Sequence, residues 1–415
     1  MSTAYVAGGG LAGLAAAVAL AEKGRRVVLL EGAPQAGGRC RSYFDPVLGS
    51  VIDNGNHLVL SGNTSVQSYL RSIGATDALA GPDRAVFDFV DVRNDKRWTL
   101  RPNDGALAWW IFARDRRVPD TAPSDYLALA KLLAGGDKRI ADVIACKGPL
   151  WERLLQPFLL AVLNTEPQAS SAKLAGAVIA ESLAKGGRAY RPRIAHPTLA
   201  SAFVDPALKF LAAKGADVRL GQRVRALTFE GERLTSLQLP NETIRLAATD
   251  TVVLAVPPWV ATELVPGLTA PTEFRSIVNA HFKLAAPAGA PLMTGVIGGA
   301  AEWIFAFADR ISITVSGADA IVDDDRETLA LRFWADVAKV FHLGPELPPW
   351  QIVKERRATF AATPAQARLR PKPATRWPNL VLAGDWTDTG LPSTIEGAVR
   401  SGHKAAALAL ARPSV

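Results

Sequence analysis

Three glycines and one carboxylate near the start of the chain have the spacing of a phosphate-and-ribose site. Gly8-Gly9-Gly10-Leu11-Ala12-Gly13 satisfies G-x-G-x-x-G, and Glu31 follows 23 positions after Gly8. Gly8 permits a tight turn, Gly10 lets the backbone approach a pyrophosphate, and Gly13 lets helix and strand pack closely. The helix N-terminus that opens at Leu11 and Ala12 offers free N–H groups and a positive dipole end to phosphates. Glu31 can accept hydrogen bonds from ribose hydroxyls, and its charge disfavours a 2′-phosphate, so NADP is not expected.

These residues need a strand before, a helix after and a second strand to carry the acid. The sequence supplies all three. Residues 4–7 (AYVA) are a short apolar strand, an Ala- and Leu-rich helix runs to about Lys23, and Arg26–Leu30 (RVVLL) ends at the acid. This is a βαβ dinucleotide unit in its expected context.

The residues that follow narrow the ligand. Gly37-Gly38-Arg39 comes six positions after Glu31, with Ser42 and Asp53-Asn54-Gly55-Asn56-His57 beyond it. Near the other end, residues 379–383 (NLVLA) form an apolar strand, followed by Gly384-Asp385 and then Gly390-Leu391-Pro392-Ser393-Thr394-Ile395-Glu396-Gly397-Ala398. Both ends resemble FAD enzymes of the amine oxidase and carotenoid desaturase type. The resemblance implies that Gly37, Gly38 and Arg39 contact FAD beyond its adenosine, and that Asp385 holds ribityl or phosphate-side oxygens. It also implies that the backbone near Thr394 and Ile395 points N–H groups at the flavin's pyrimidine edge, stabilising the anionic reduced ring. Val224 matches the position whose backbone meets the adenine.

Composition sets the frame. The 415 residues suffice for two or three domains, and 49% hydrophobic with 21% charged residues is ordinary for a globular protein. No signal peptide and no run of 18 or more apolar residues is read, and the two cysteines, Cys40 and Cys146, are not CxxC-spaced. A cytoplasmic protein is expected, with peripheral attachment to the inner face of the cytoplasmic membrane as a further expectation. The five histidines are scattered, so no metal is suggested, and neither a Walker A sequence nor a GxSxG elbow occurs. The net charge is +8 with no nucleic-acid motif, so nucleic acid is not an expected partner. Trp109-Trp110-Ile111-Phe112 precedes Arg114, Arg116 and Arg117. That pattern suits either a membrane interface or a core-facing helix with a solvated basic end. Lys185, Arg188, Arg191 and Arg193 read as a solvated loop.

The expected fold class is α/β: a Rossmann-like FAD-binding domain with an inserted mixed α+β substrate domain. Residues 1–84, 200–260 and 351–415 form the discontinuous FAD-binding domain. Residues 85–199 and 261–350 form the substrate domain. The first insertion has helical periodicity around 126–133, 150–163 and 174–183, and the second alternates like sheet at 303–307 and Ile311–Val315.

The insertions carry a finer resemblance. Pro149-Leu150-Trp151, Leu163-Asn164-Thr165, Phe203-Val204-Asp205-Pro206, Ser276-Ile277-Val278-Asn279-Ala280-His281 and Lys354-Glu355-Arg356-Arg357 join the motifs above. Together they resemble the hydroxysqualene dehydroxylases of bacterial hopanoid biosynthesis, relatives of phytoene desaturase, through essentially the whole chain. The resemblance implies that hydroxysqualene and reduced FAD give squalene, water and oxidised FAD. An acid would protonate the allylic hydroxyl as it leaves, the flavin N5 would deliver hydride, and an apolar pocket would bind the C30 isoprenoid and exclude water. An electron donor that the sequence does not name would re-reduce the flavin.

His57 is the first candidate acid, because the segment after Gly55 borders the flavin in this fold. Asp388, in the loop before the closing helix, is second, and Asp53 is third. The alternatives are a hydrogen-bonded buried histidine, a loop residue and a turn brace respectively; Glu396 is read as structural. Amine oxidases commonly carry an aromatic where Thr394 stands and often Lys where Asn279 falls, which argues against amines. No cysteine lies in 384–396, so FAD is expected to be non-covalent. The rival readings are an oxidative carotenoid desaturase, an amine oxidase, and a non-catalytic binder like the Rab GDP-dissociation inhibitors.

Overall fold

A computed structural model describes residues 2–411. Its first layer is a parallel five-stranded sheet in the order Asp217–Arg219, Arg26–Leu30, Thr3–Ala7, Thr251–Leu254, Leu380–Leu382. The four strands inward of the Asp217–Arg219 edge are nearly continuous apolar runs because both faces are covered. Helices Leu11–Glu22 and Ile395–Leu410 pack side by side against this sheet. Small residues let them approach closely: a Cβ on Gly402 would lie 2.2 Å from the Ala12 carbonyl oxygen.

The second layer is a seven-stranded sheet. Its order is Trp350–Phe360, Phe274–Phe282, Ile311–Val315, Trp303–Ala306, Met293–Ile297, Phe87–Asp91, Lys96–Leu100. The alternation of side chains gives it two unlike faces. Val278, Ala280, Phe282, Ile313 and Val315 pack under helix Arg326–Phe341, against Leu329, Phe333 and Trp334. The opposite face carries Asn279, Thr314 and Trp303 in one cross-strand row and His281, Ser312 and Phe305 in the next. Phe89 stacks on Trp98 and meets Trp303 edge-on, with ring centroids 5.4 and 5.7 Å apart. The helical segments Leu127–Leu133, Gln156–Leu163 and Ala172–Glu181 belong to the core that includes this aromatic cluster.

Three boundaries depart from the sequence expectation. Trp350–Phe360 pairs with Phe274–Phe282, so the returning segment of the dinucleotide domain begins after Phe360 rather than at 351. Phe87–Asp91 and Lys96–Leu100 are strands of the same sheet, although the segment 85–199 reads as mainly helical. Pro192–Ala195 pairs with Leu58–Leu60 and Leu79–Ala80, tying the end of that insertion to the first segment. Each departure is a long-range ladder, and ladder partners are not encoded in local periodicity. Within the basic cluster at 185–193, Arg193 is half-buried and donates to the Pro82 carbonyl at 2.7 Å, so this part is not a solvated loop. Among the described residues no helix is long and apolar enough to cross a membrane.

Candidate dinucleotide and substrate site

The glycine turn has the geometry its spacing requires. Gly8 sits at φ +110°, and a Cβ there would lie 2.4 Å from the Ala255 carbonyl oxygen. A Cβ on Gly13 would come within 1.8 Å of the Gly8 carbonyl oxygen, so helix and turn touch backbone to backbone. A Cβ on Gly10 would meet nothing within 4 Å. The middle glycine therefore faces open space at the helix N-terminus, where a pyrophosphate fits. Glu31 accepts from the Gly9 N–H at 2.6 Å and the Ala33 N–H at 2.7 Å, which holds the turn closed.

The second glycine pair is built onto the first. Gly37 and Gly38 both have positive φ, and the Gly37 N–H donates to the Gly9 carbonyl at 2.8 Å. Arg39 then reaches across the fold, donating to the Ala358 carbonyl and to Asp385 Oδ1 at 2.7 Å. Burial pushes the Asp385 carboxyl up, but the Arg39 guanidinium outweighs it and leaves the group below the usual carboxylate range. Gly384 adopts φ +144°, with the Trp386 ring closing over the place a Cβ would take. Trp386 is itself anchored by its Nε1–H, which donates to the Val256 carbonyl at 3.0 Å.

Thr394 caps the closing helix, its Oγ1 accepting from the Gly397 N–H at 3.0 Å, and Ile395 is buried at the first turn. Glu396 accepts from the Ser65 and Val66 N–H groups at 3.2 and 3.0 Å and so braces helix Thr64–Ser72. Val224 is buried, and its backbone N–H and C=O make no hydrogen bond among the described residues. This open donor–acceptor pair, the space at Gly10 and the Arg39–Asp385 pair fit a dinucleotide that spans the domain.

Residues 54–57 lie against the seven-stranded sheet. A Cβ on Gly55 would lie 2.9 Å from Asn279 Nδ2. Asn279 Nδ2 donates to the Asn54 carbonyl at 3.3 Å, Thr314 Oγ1 donates to Asn279 Oδ1 at 2.8 Å, and Asn56 Nδ2 donates to Thr314 Oγ1 at 3.2 Å. The Oδ1 atoms of Asn54 and Asn56 are buried without a hydrogen-bond partner. Such atoms are costly to bury unpaired and mark a place for a polar ligand group.

The three expected acids have different surroundings. Burial, reinforced by the Arg39 charge, pulls His57 down to about 4, so its ring is neutral at pH 7. Asp53 is buried and committed: it accepts from Ser42 Oγ at 2.6 Å and the Leu199 N–H at 2.9 Å and sits 3.6 Å from Arg310. Asp388 is exposed.

Glu302, which the sequence reading did not single out, is a fourth candidate acid. Its Oε2 accepts from the Ser316 N–H at 2.7 Å, and burial pushes the carboxyl up to about 7. Ser316 directly follows the strand Ile311–Val315, and the Glu302 carbonyl accepts from the Val296 N–H at 2.8 Å, so Glu302 sits at the end of the sheet between two strands. Glu302 also precedes Trp303, whose cross-strand partner is Thr314. It keeps some accessible surface. The available signal was a single acid between Ala301 and the apolar run Trp303–Ala306.

Comparison with known proteins agrees with the geometry. The family model for flavin-containing amine oxidoreductases matches residues 11–410. The chain is similar to the hydroxysqualene dehydroxylase of Rhodopseudomonas palustris, 54% identical over 99% of this chain and 98% of that one. It is similar to the hydroxysqualene dehydroxylase of Sinorhizobium fredii, 50% identical over 98% of each. Among solved structures, cyclohexylamine oxidase from Brevibacterium oxydans shares the fold, with a TM-score of 0.68 at 15% identity over 99% of this chain and 98% of that one. The chain therefore belongs to the flavin-containing amine oxidoreductase family.

Proposed function

We propose that this protein binds FAD non-covalently and catalyses the reductive dehydroxylation of hydroxysqualene to squalene. The observation that carries this reading is the 50–54% identity to two hydroxysqualene dehydroxylases over nearly the whole chain, both insertions included. Gly10 and the amides of Leu11 and Ala12 would hold the pyrophosphate, Glu31 the ribose, and the Val224 backbone the adenine. Arg39 and Asp385 would hold the ribityl chain and phosphate, and the Thr394–Ile395 helix start the pyrimidine edge. The two cysteines of the sequence are Cys40 and Cys146; Cys40 is buried, and burial pushes its thiol up to about 12, which supports a non-covalent cofactor.

Bound in its reduced form, FAD supplies hydride for the carbon that loses its hydroxyl. The rest falls to the chain. The face bearing Phe89, Trp303 and Phe305 offers an apolar wall for a C30 chain, and burial of that chain supplies most of the affinity. Aromatic faces also stabilise positive charge developing at an allylic carbon, and exclusion of water prevents its recapture. The unpaired Asn56 Oδ1 would accept from the substrate hydroxyl. Glu302 serves as the acid: its carboxyl gives a proton to the hydroxyl oxygen as the C–O bond breaks, and water leaves with the bonding pair. His57, neutral beside Arg39, then has a packing and hydrogen-bonding role.

The test is anaerobic. Purified protein with reduced flavin is mixed with hydroxysqualene in detergent, flavin absorbance is followed and the lipid is extracted for mass spectrometry. Return of the oxidised spectrum with stoichiometric squalene is expected. A reduced flavin that persists over untouched alcohol would reject the reading and direct attention to oxidised enzyme with polyenes.

A further inference from the structure

We infer that the turn Trp109–Phe112 and the neighbouring helix Leu127–Leu133 form a docking face for an anionic lipid bilayer. Eleven large hydrophobic side chains are exposed among the described residues, and five of them fall here: Leu107 at 85%, Trp109 at 52%, Phe112 at 70%, Leu127 at 61% and Leu133 at 46%. Apolar exposure concentrated in one segment marks an interaction site, unlike scattered single residues.

The presentation is built rather than incidental. Trp109–Phe112 is a 3₁₀ turn, in which side chains three apart eclipse, so Trp109 and Phe112 share a side. Trp110 points the other way and is buried, with its ring edge-on to Tyr126 at 5.3 Å. Tyr126 in turn accepts from the Val118 N–H at 3.0 Å and directly precedes helix Leu127–Leu133. Core anchoring of Trp110 thus holds two aromatic rings outward beside the exposed Leu127. The 85% exposure of Leu107 leaves protein on almost no side of it, a shape suited to insertion rather than to lying flat on another globular surface.

Charge identifies the occupant. The Arg116 guanidinium stacks 4.5 Å over the Trp109 ring, and Arg116 and Arg117 donate to the Arg101 and Ile111 carbonyls, which leaves their charge uncancelled. Arg114 and Lys131 are exposed on the same segments. Two nearby acids are paired with cations elsewhere: Asp104 lies 3.5 Å from Arg191, and Asp120 pairs with Lys96 and Arg153. Exposed Asp115 and Asp125, which accepts from the Ala122 N–H, leave the four cations in excess. Aromatic and aliphatic tips ringed by arginine match a layer of acyl chains beneath anionic headgroups. The same insertion helps enclose the aromatic face of the sheet, so docking here would bring the apolar pocket close to a lipid phase.

The inference rests on these side chains and not on the substrate reading. The flavin-loaded protein is floated with phosphatidylcholine vesicles, with and without phosphatidylglycerol. The W109S/F112S and R114Q/R117Q variants are compared, and their flavin content reports on folding. Binding to the phosphatidylglycerol vesicles is expected, weakening with salt and falling at least about tenfold in each variant. Absence of vesicle binding, or equal binding by W109S/F112S, would overturn the inference. So would a concentration-dependent dimer in sedimentation velocity that W109S/F112S abolishes, since a second copy would then occupy the face. Turnover enters none of these readouts, so failure of the proposed reaction leaves the result legible.

Discussion

Replacing Glu302 by Gln separates proton donation from packing. The amide keeps the shape and can still accept from the Ser316 N–H, but it has no proton to give. The wild-type carboxyl is raised from 4.5 to about 7, and burial is the leading cause; the charge of exposed Glu166 adds to it. A raised carboxyl binds its proton more tightly in the folded than in the unfolded chain. Its stabilising contribution is therefore complete below 4.5 and is lost as pH rises through about 7. At 1.36 kcal/mol per unit, this loss amounts to about 3 kcal/mol by pH 8. Glu302→Gln does not titrate, so the variant should be more stable than wild type at pH 8, by about 2–3 kcal/mol after allowance for the buried amide. That advantage should shrink towards zero near pH 4.5. Urea unfolding of both proteins across this range measures the gap. A positioned general acid is worth roughly 10²- to 10⁴-fold. Single-turnover flavin reoxidation with hydroxysqualene should therefore slow at least about 100-fold in the variant, while flavin content is unchanged. In wild type the rate should fall about tenfold per pH unit above 7. A stability gap independent of pH would refute the assigned environment. A variant turning over at the wild-type rate would refute the assigned role.

Other perturbations test the site piece by piece. Gly10→Ala should leave the thermal stability of the flavin-free protein unchanged but lower its flavin affinity, because the added Cβ meets only the cofactor space. Gly13→Ala, with its Cβ 1.8 Å from the Gly8 carbonyl oxygen, should instead lower the melting temperature of the flavin-free protein. His57→Ala should keep turnover within about tenfold of wild type with an unaltered pH profile, since a ring held near 4 carries no proton to donate at pH 7. Glu396→Ala removes the acceptor for the Ser65 and Val66 N–H groups and should cost about 1–2 kcal/mol in urea unfolding without changing the flavin spectrum.

The parts of the fold that were legible in the sequence are those specified by local constraints. Gly8, Gly10 and Gly13 announce their turn because only glycine fits a backbone that approaches the Ala255 and Gly8 carbonyls so closely. The strand at 303–307 and the strand Ile311–Val315 showed their alternation directly, and both occur within a residue of the expected limits. Trp350–Phe360 was assigned to the wrong domain because its eleven residues read equally well as a strand of either sheet, and pairing with Phe274–Phe282 decides. The acid was less legible still. His57 and Asp388 stood close to glycine motifs, and proximity in sequence to the cofactor loops drew attention to them. Glu302 acquires its properties from three strands that meet around it and from the burial they impose, neither of which is visible in the residues on either side.

In the proposed reaction this chain delivers hydride to a carbon that loses hydroxide. Anaerobic single turnover of the reduced protein with hydroxysqualene in D₂O tests this, because the reduced flavin exchanges its N–H hydrogens for deuterium. Squalene carrying a single deuterium at the former carbinol carbon, in step with flavin oxidation, is expected. Squalene without deuterium, or recovery of the alcohol beside a flavin that stays reduced, would contradict it.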